Sequence, residues 1–590
     1  MFNNPLQKAK VGRRSFLLGG VAVAGVAGLS ACGGNTPAPG PGGGTSGAPA
    51  PGEYVPGSAQ LKVQLGPELE GVLYPEGYVG PKAREFTKFA DGSTEYRVVT
   101  RSFEGQNTDT TNLYSKHLED VTGVKVKYEI VPAGEDGTPK VNAMMSSGDL
   151  PDVFMLGAGW MGGFTRSQLY AYGSQGLLMP LDELVDTWAP ELQSTFEQNP
   201  TFRKYLTAPD GKLYTFPGIN QCFHCKSWNQ RQWIHTPSLE KTGISLDSVK
   251  TIDDFENLMK ELKAAGITPL TGFVDVPPLG LLQAAYLDIG TSFLRRTNGE
   301  ITFTAIEDGN REVMKVANRW VKEGLIDKNA FSMNDAQYKR AGMNPGAPGA
   351  AIFSGGSPGY FVDVMVEDPN SRYHEFQALP PYTGPSGTAY VAWDHTPGGV
   401  PVMALTKDCR NPEEMIQWAD YQLSLMGTLN ARLGARFGEI WTWAEEGDLG
   451  IDSRQAIYKR IPDVKTDGND GWPEQNPHNL VMDVRHGEYT DPKKSMEPLL
   501  YDAGKLMEAY AKPFEDYFME PFFSIEQSAQ VGELRTNIDN AIKQGHSSLA
   551  LGTTDPNNDS DWEAFVNSIK GAGLDAYLQI LKEADAASNG

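Results

Sequence analysis

Tyr96-Arg-Val-Val-Thr-Arg-Ser-Phe103, Val124-Lys-Val-Lys-Tyr-Glu-Ile-Val131 and Asp152-Val-Phe-Met-Leu156 follow one another within 61 residues. The second alternates apolar and polar side chains, as a half-buried strand does, and the third is a short apolar run. The segments between them, Thr110–Val121 and Pro139–Ser147, read as helices. Strand, helix, strand, helix, strand is the order of a parallel sheet covered by helices. A further strand is expected at Leu213–Phe216, after the turn Pro209-Asp-Gly211.

A second α/β series follows. Ile252–Ala264 is an amphipathic helix with Thr251 as its cap and Asp254 three residues on. Pro269–Phe273 and Ala350–Ser354 read as strands, and Arg311–Glu323 as a helix stopped by Gly324. Val400–Leu405 is expected as a strand and Pro412–Leu425 as a helix. From about residue 485 the chain is mainly helical, with Ile525–Gln544 and Asp561–Ala586 separated by a Gly/Asn/Asp loop. No internal repeat is present.

The N-terminus has a different character. Arg13-Arg-Ser-Phe-Leu17 opens an apolar Gly/Ala-rich stretch that ends in Leu29-Ser-Ala-Cys32. A basic start, a short apolar middle and a small-residue end form an export signal, too short to span a bilayer. The twin arginines point to the Tat route. The end resembles a bacterial lipobox, which implies residues 1–31 as a lipoprotein signal peptide and Cys32 as the acylated (palmitate-bearing) first residue. Residues 32–58 then form a Gly/Pro-rich flexible linker, and 59–93 an irregular extension. The expected location is the outer face of the cytoplasmic membrane, reached by a lipid anchor only.

The remaining chain, about 530 residues, is too long for one core. Removing the first 31 residues, which carry Lys8, Lys10, Arg13 and Arg14 and no acids, takes the formal charge from −23 to −27. Such a body repels nucleic acid and anionic lipid, so neither is expected as a partner. A neutral ligand such as a sugar fits better.

Several motifs suggest chemistry. Gly157-Ala-Gly-Trp-Met-Gly162 has the dinucleotide form G-x-G-x-x-G. The acid about 20 residues on, Asp182, sits at a helix start rather than a strand end, and Trp160 would crowd a pyrophosphate. A ligand-facing Gly-rich loop at a strand end is the better reading. Gly355-Gly-Ser-Pro-Gly359 has the nucleophile-elbow form G-x-S-x-G, but Pro358 lacks the N–H that an oxyanion hole takes from that position. Asp555–Glu563 places oxygens at alternate positions without the Gly or the final acid of a calcium loop. With 74 acids, carboxylate pairs carry no information about glycoside hydrolysis. Outside the cell, Cys222 and Cys225 read as a possible local disulfide in preference to a redox or zinc site, and Cys409 as a free thiol. No catalytic residue and no cofactor or metal is assigned, so the chain is not expected to be an enzyme; a surface hydrolase acting on polysaccharide or ester is the alternative. Tryptophan and tyrosine in Gly/Pro loops suit sugar rings when they line a cleft.

A set of segments carries a resemblance: Ser147-Gly-Asp-Leu-Pro-Asp-Val153, Leu177-Leu-Met-Pro-Leu-Asp-Glu-Leu-Val185, Asp210-Gly-Lys-Leu-Tyr-Thr-Phe-Pro217, Thr251-Ile-Asp-Asp-Phe255, Trp320-Val-Lys-Glu-Gly-Leu-Ile326, Asn411-Pro-Glu-Glu-Met415 and Asp561-Trp-Glu-Ala-Phe565 leading to Gly573-Leu-Asp-Ala-Tyr577. In this order, behind a lipobox, they resemble the solute-binding lipoproteins of bacterial ABC sugar importers. The resemblance implies a two-lobe periplasmic-binding-protein-like α/β fold (type II), a ligand cleft between the lobes and a mainly helical C-terminal section. It implies lobe 1 from 94–217 plus 377–425 and lobe 2 from 218–376 plus 426–590, with crossings near Pro217 and Leu379-Pro380. The function it implies is capture of a carbohydrate, an oligosaccharide, by a monomer that delivers it to ABC transporter permease subunits. Relatives with a calcium loop place it after the helix matching Ile252–Ala264; Ala264–Pro269 has none. The cleft is expected to be lined by Trp160, Asn220, Trp228, Tyr360, Trp393, Asp394 and Trp441.

Overall fold

The computed structural model describes residues 59–589 except 103–108, 291, 345–348, 463, 465–466 and 473. The signal segment, Cys32 and the Gly/Pro linker lie outside the described residues. Ten strands form two sheets: β1 (Glu95–Ser102), β2 (Lys125–Pro132), β3 (Val153–Met155), β4 (Phe216–Asn220), β5 (Gln232–His235), β6 (Leu270–Thr271), β7 (Ile352–Ser354), β8 (Phe376–Ala378), β9 (Gly399–Leu405) and β10 (His478–Leu480). The first sheet has the order β10-β4-β9-β3-β1-β2, the second β8-β5-β7-β6. In each sheet one strand runs against the rest: β9 is antiparallel to β3 and β4, and β5 to β7 and β8. These are the two strands at which the chain enters a sheet from the other one, so reversed direction and crossing are the same event.

Period-two alternation gives each sheet a core on both faces. Tyr96, Val98, Val153 and Met155 face one apolar cluster, and Val99, Val131 and Phe154 face another. In the second sheet Ile234 and Ile352 face one side, and Trp233, Phe353 and Phe376 the other. The C-terminal helices Ile525–Leu551, Asp559–Gly571 and Leu574–Asn589 pack on the Ile234 side.

Some boundaries differ from the sequence reading. Leu213–Thr215 is not a strand: Leu213 N–H donates to Asp182 Oδ2 (2.8 Å) and its carbonyl accepts from Leu181 N (2.7 Å). The strand begins at Phe216, and the first crossing comes after Pro217, at 221–231. Residues 426–484 were expected with the second lobe. Leu429, Trp441, Tyr458, Trp472 and Val484 instead share the core of the six-stranded sheet, because β10 pairs with β4. The expected helix Asp561–Ala586 is two helices, broken at Gly573, whose φ of +104° a side-chain-bearing residue would resist. The Asp555 loop uses its oxygens locally: Asp555 Oδ1 accepts from Asn557 N (3.0 Å), Asp561 Oδ2 from Asp555 N (2.8 Å) and Asn558 Oδ1 from Ser560 N (2.9 Å). Among the described residues no helix is long and apolar enough to cross a membrane.

The helix Ile252–Ala264 shows how local signals and packing agree. Thr251 Oγ1 accepts from Asp254 N (3.2 Å), and Asp254 Oδ2 from Thr251 N (2.9 Å). Its inner face buries Phe255, Leu258, Met259 and Leu262. From its flank Glu256 accepts from both Arg319 terminal nitrogens (2.6 Å each) and Trp320 Nε1 (2.8 Å). The Arg319 guanidinium holds the Glu256 carboxyl down at about 2. A depressed carboxyl contributes stability above its unfolded pKa and loses it as pH falls through the folded value. Because Arg319 is half-exposed, solvent screening reduces the contribution to about 2 kcal/mol. Glu256→Gln is therefore expected to lower the unfolding free energy by about that amount at pH 7, with the gap to wild type closing as pH falls from about 4.5 towards 2 in urea titrations.

Candidate functional site

A cavity of about 390 Å³ opens where the two crossings pass each other. Ala158 borders it from the loop after β3, Asn220 from the end of β4, Lys226 from the first crossing, Asp394 from the second, and Glu474 and His478 from the segment entering β10. A slightly larger depression of about 430 Å³ runs along Lys315, Arg319 and Lys322 on the outside of one helix, away from the crossings.

The crossings are tied to each other at the cavity wall. Asn220 N donates to Gly398 O (2.8 Å), and Gln221 N to Leu480 O (2.9 Å). Lys226 Nζ donates to Asp394 O (2.8 Å), while Asp394 N donates to Lys226 O (3.0 Å). Asp394 Oδ1 accepts from Thr396 N (2.8 Å) and Tyr517 Oη (2.9 Å). Cys222 and Cys225 are joined by a disulfide across a single turn. Within that turn Phe223 packs on Trp393 and Tyr501, and His224 Nε2 meets Glu497 Oε2 at 2.9 Å. The turn thus sends Phe223 and His224 inward and leaves the cysteines and Lys226 at the cavity.

The floor is rich in acceptors. Among the described residues Asn220 Oδ1 is buried without a hydrogen-bond partner. His478 Nδ1 lies 2.8 Å from the Asn476 carbonyl and must donate to it, which leaves Nε2 as an acceptor. Burial pushes His478 down to about 4, so the ring is neutral at pH 7. Burial also raises the Glu474 carboxyl, against the opposing pull of Arg432 and Arg485. Gly218 makes this packing possible, since a Cβ there would meet the His478 ring at 2.7 Å.

Of the residues expected in the cleft, Asn220 and Asp394 border the cavity. Trp393 stands beside it, edge-on to Phe223 with Lys226 Nζ 5.8 Å from its ring. Trp228 and Tyr360 come together as a half-buried pair, Nε1 donating to Oη at 2.9 Å, against the Gly355-Gly356 turn. Trp160 lies in the turn Gly159–Met161, next to Ala158. Trp441 is not at the cavity: it is 0% exposed and its Nε1 donates to Asn430 Oδ1 (3.2 Å) and Gly434 O (3.1 Å), inside the first core. Lys226, His395, Glu474 and His478 also line the cavity and were not expected there; the first three stand in irregular segments and His478 opens the three-residue β10, too short for a periodicity to mark it. Cys409 is free and buried, its thiol raised by burial. Ser357 is buried, and no histidine lies within hydrogen-bond reach of it among the described residues.

The family model for bacterial extracellular solute-binding proteins matches residues 105–426. The fructooligosaccharide ABC transporter substrate-binding protein FusA of Streptococcus pneumoniae is 22% identical over 541 residues, covering 87% of this chain and 91% of that protein. Its structure in complex with kestose superposes with a TM-score of 0.61 at 22% identity, over 84% of this chain and 99% of the other. An extracellular solute-binding protein from Bifidobacterium longum subsp. infantis gives a TM-score of 0.68 at 18% identity, over 85% and 100%. These likenesses show the two-lobe binding-protein fold.

Proposed function

We propose, from the premise that the chain belongs to the bacterial extracellular solute-binding proteins, that it captures a carbohydrate between its lobes and delivers it to an ABC transporter permease. The observation that carries this is the cavity at the crossings, where the buried Asn220 Oδ1 has no partner among the described residues. A buried acceptor left open costs free energy that a ligand hydroxyl returns. The acidic body and FusA's fructooligosaccharide specificity support a neutral oligosaccharide.

A ligand bridging both lobes favours the closed arrangement by its differential affinity. In this reading the lobes are divided by the crossings at 221–231 and 379–398, and by a third passage between β10 and the helix Glu497–Glu508. Export by the Tat route and acylation of Cys32 hold a monomer at the outer face of the membrane. The chemistry is binding and release without turnover.

Tryptophan fluorescence titrated with an oligosaccharide panel, followed by mass analysis of the recovered sugar, tests the proposal. A saturable change with the sugar intact is the expected result, and cleavage of the sugar would replace the proposal with a hydrolase. Asn220→Ala is expected to weaken binding about tenfold to a hundredfold with an unchanged melting temperature, and Asp394→Ala to weaken it by as much while lowering the melting temperature, since Thr396 N and Tyr517 Oη lose their acceptor. Binding within twofold of wild type for both would move the site elsewhere.

A further inference from the structure

We infer that Glu474 is the group that selects the charge class of the ligand: it binds hydroxyls of uncharged saccharides and turns away uronates and other acidic sugars. The inference rests on the carbohydrate reading above and goes further, to the substrate class and the residue that sets it.

Glu474 borders the cavity, half-buried, with its backbone N–H donating to Gln475 Oε1 (3.2 Å). Among the described residues its carboxylate accepts no hydrogen bond and makes no ion pair within 4 Å. A carboxylate removed from water and left open is costly, and two or more ligand hydroxyls would satisfy its acceptor positions. Its neighbours on the floor are acceptors as well: the open Asn220 Oδ1 and the His478 ring with Nδ1 committed. A polyol brings donors to all three, whereas a sugar acid brings a second anion into a site where water no longer screens it.

The cations nearby do not reverse this. Lys226 Nζ is engaged by the Asp394 carbonyl and stands in the field of Asp394 and Glu508. Arg432 and Arg485 act on Glu474 itself, and Arg485 also on Glu497. Among the described residues that line the cavity Lys226 is the one lysine or arginine, and the Asp394 carbonyl engages it. His395 is likewise committed, its Nε2 donating to the Lys512 carbonyl (2.6 Å).

The test is calorimetric titration of the full chain in detergent with neutral fructo-, gluco- and manno-oligosaccharides and, separately, with oligogalacturonates. Wild type is expected to bind a neutral sugar and no uronate. Glu474→Gln is expected to bind the neutral sugar about tenfold more weakly and to gain measurable uronate binding. Glu474→Asp keeps the charge but shortens its reach, so it should lose neutral affinity and still reject uronates, a split that mere loss of folding would not produce. Neutral binding by Glu474→Gln within twofold of wild type, or uronate preference by wild type, overturns the inference alone. A wild-type chain that binds neither class overturns the carbohydrate reading and the inference with it.

Discussion

Trp441→Ala is expected to destabilise the protein by about 3–5 kcal/mol without changing the ligand affinity of the molecules that remain folded. The indole is fully buried beside Phe437, Trp443 and Tyr458, with ring centroids 4.8, 5.3 and 6.5 Å away. Truncation leaves a large cavity, because the surrounding strand and loops are fixed by pairing of Trp441–Trp443 with Tyr458–Arg460. It also removes the donor for Asn430 Oδ1 and the Gly434 carbonyl, both inside the core. Unsatisfied buried acceptors add to the cavity cost. Chemical denaturation gives the stability, and titration at low denaturant gives the affinity. A stability loss below about 1 kcal/mol together with a large loss of affinity would return Trp441 to the cleft.

That residue also marks where sequence reading stops. Trp441 and Trp443 stand two apart on one strand and so face the same core, which buries the first fully and the second partly, a difference set by the surrounding loops and not by the local sequence. Elements in both α/β runs were legible because the periodicity of a covered sheet is local: β2 and the helix Ile252–Ala264 lie within a residue of where pattern and capping put them. The crossings were not, because they are set by which strands meet. Nothing in Leu213–Phe216 tells that its first residues bond to Asp182, and nothing in 426–484 tells that β10 pairs with β4. The cavity followed the same rule. Asn220 and Asp394 border the cavity because they flank the crossings, whereas Glu474 and His478 reach it only through that distant pairing.

Glu191→Gln is expected to stabilise the protein at pH 8 by about 2–4 kcal/mol relative to its effect at pH 4. Asp420 is buried, and its carboxylate caps the helix Pro190–Gln198, accepting from Glu191 N (3.0 Å) and Leu192 N (2.9 Å). The Glu191 side chain is buried beside it. Burial raises Asp420 to about 7, with the two backbone donors opposing the rise. Burial and the neighbouring Asp420 raise Glu191 to about 8. A carboxyl raised by folding binds its proton more tightly in the native state than in the unfolded one. Its stability contribution is therefore full below about pH 4 and is lost as pH climbs through the folded value. For this pair the loss falls between about 4 and 8. Glutamine in place of Glu191 removes one of the two buried charges while keeping the backbone donors to Asp420, so the alkaline side of the curve rises and the acid side does not. Other carboxyls, Glu256 among them, titrate in the opposite sense at lower pH, so the diagnostic quantity is the difference between variant and wild type rather than either curve alone. Urea midpoints for both proteins at pH 4, 6 and 8 give that difference. If it is constant across the three pH values, Glu191 is not titrating in this range, and the pair holds its charge by contacts other than those between these two side chains.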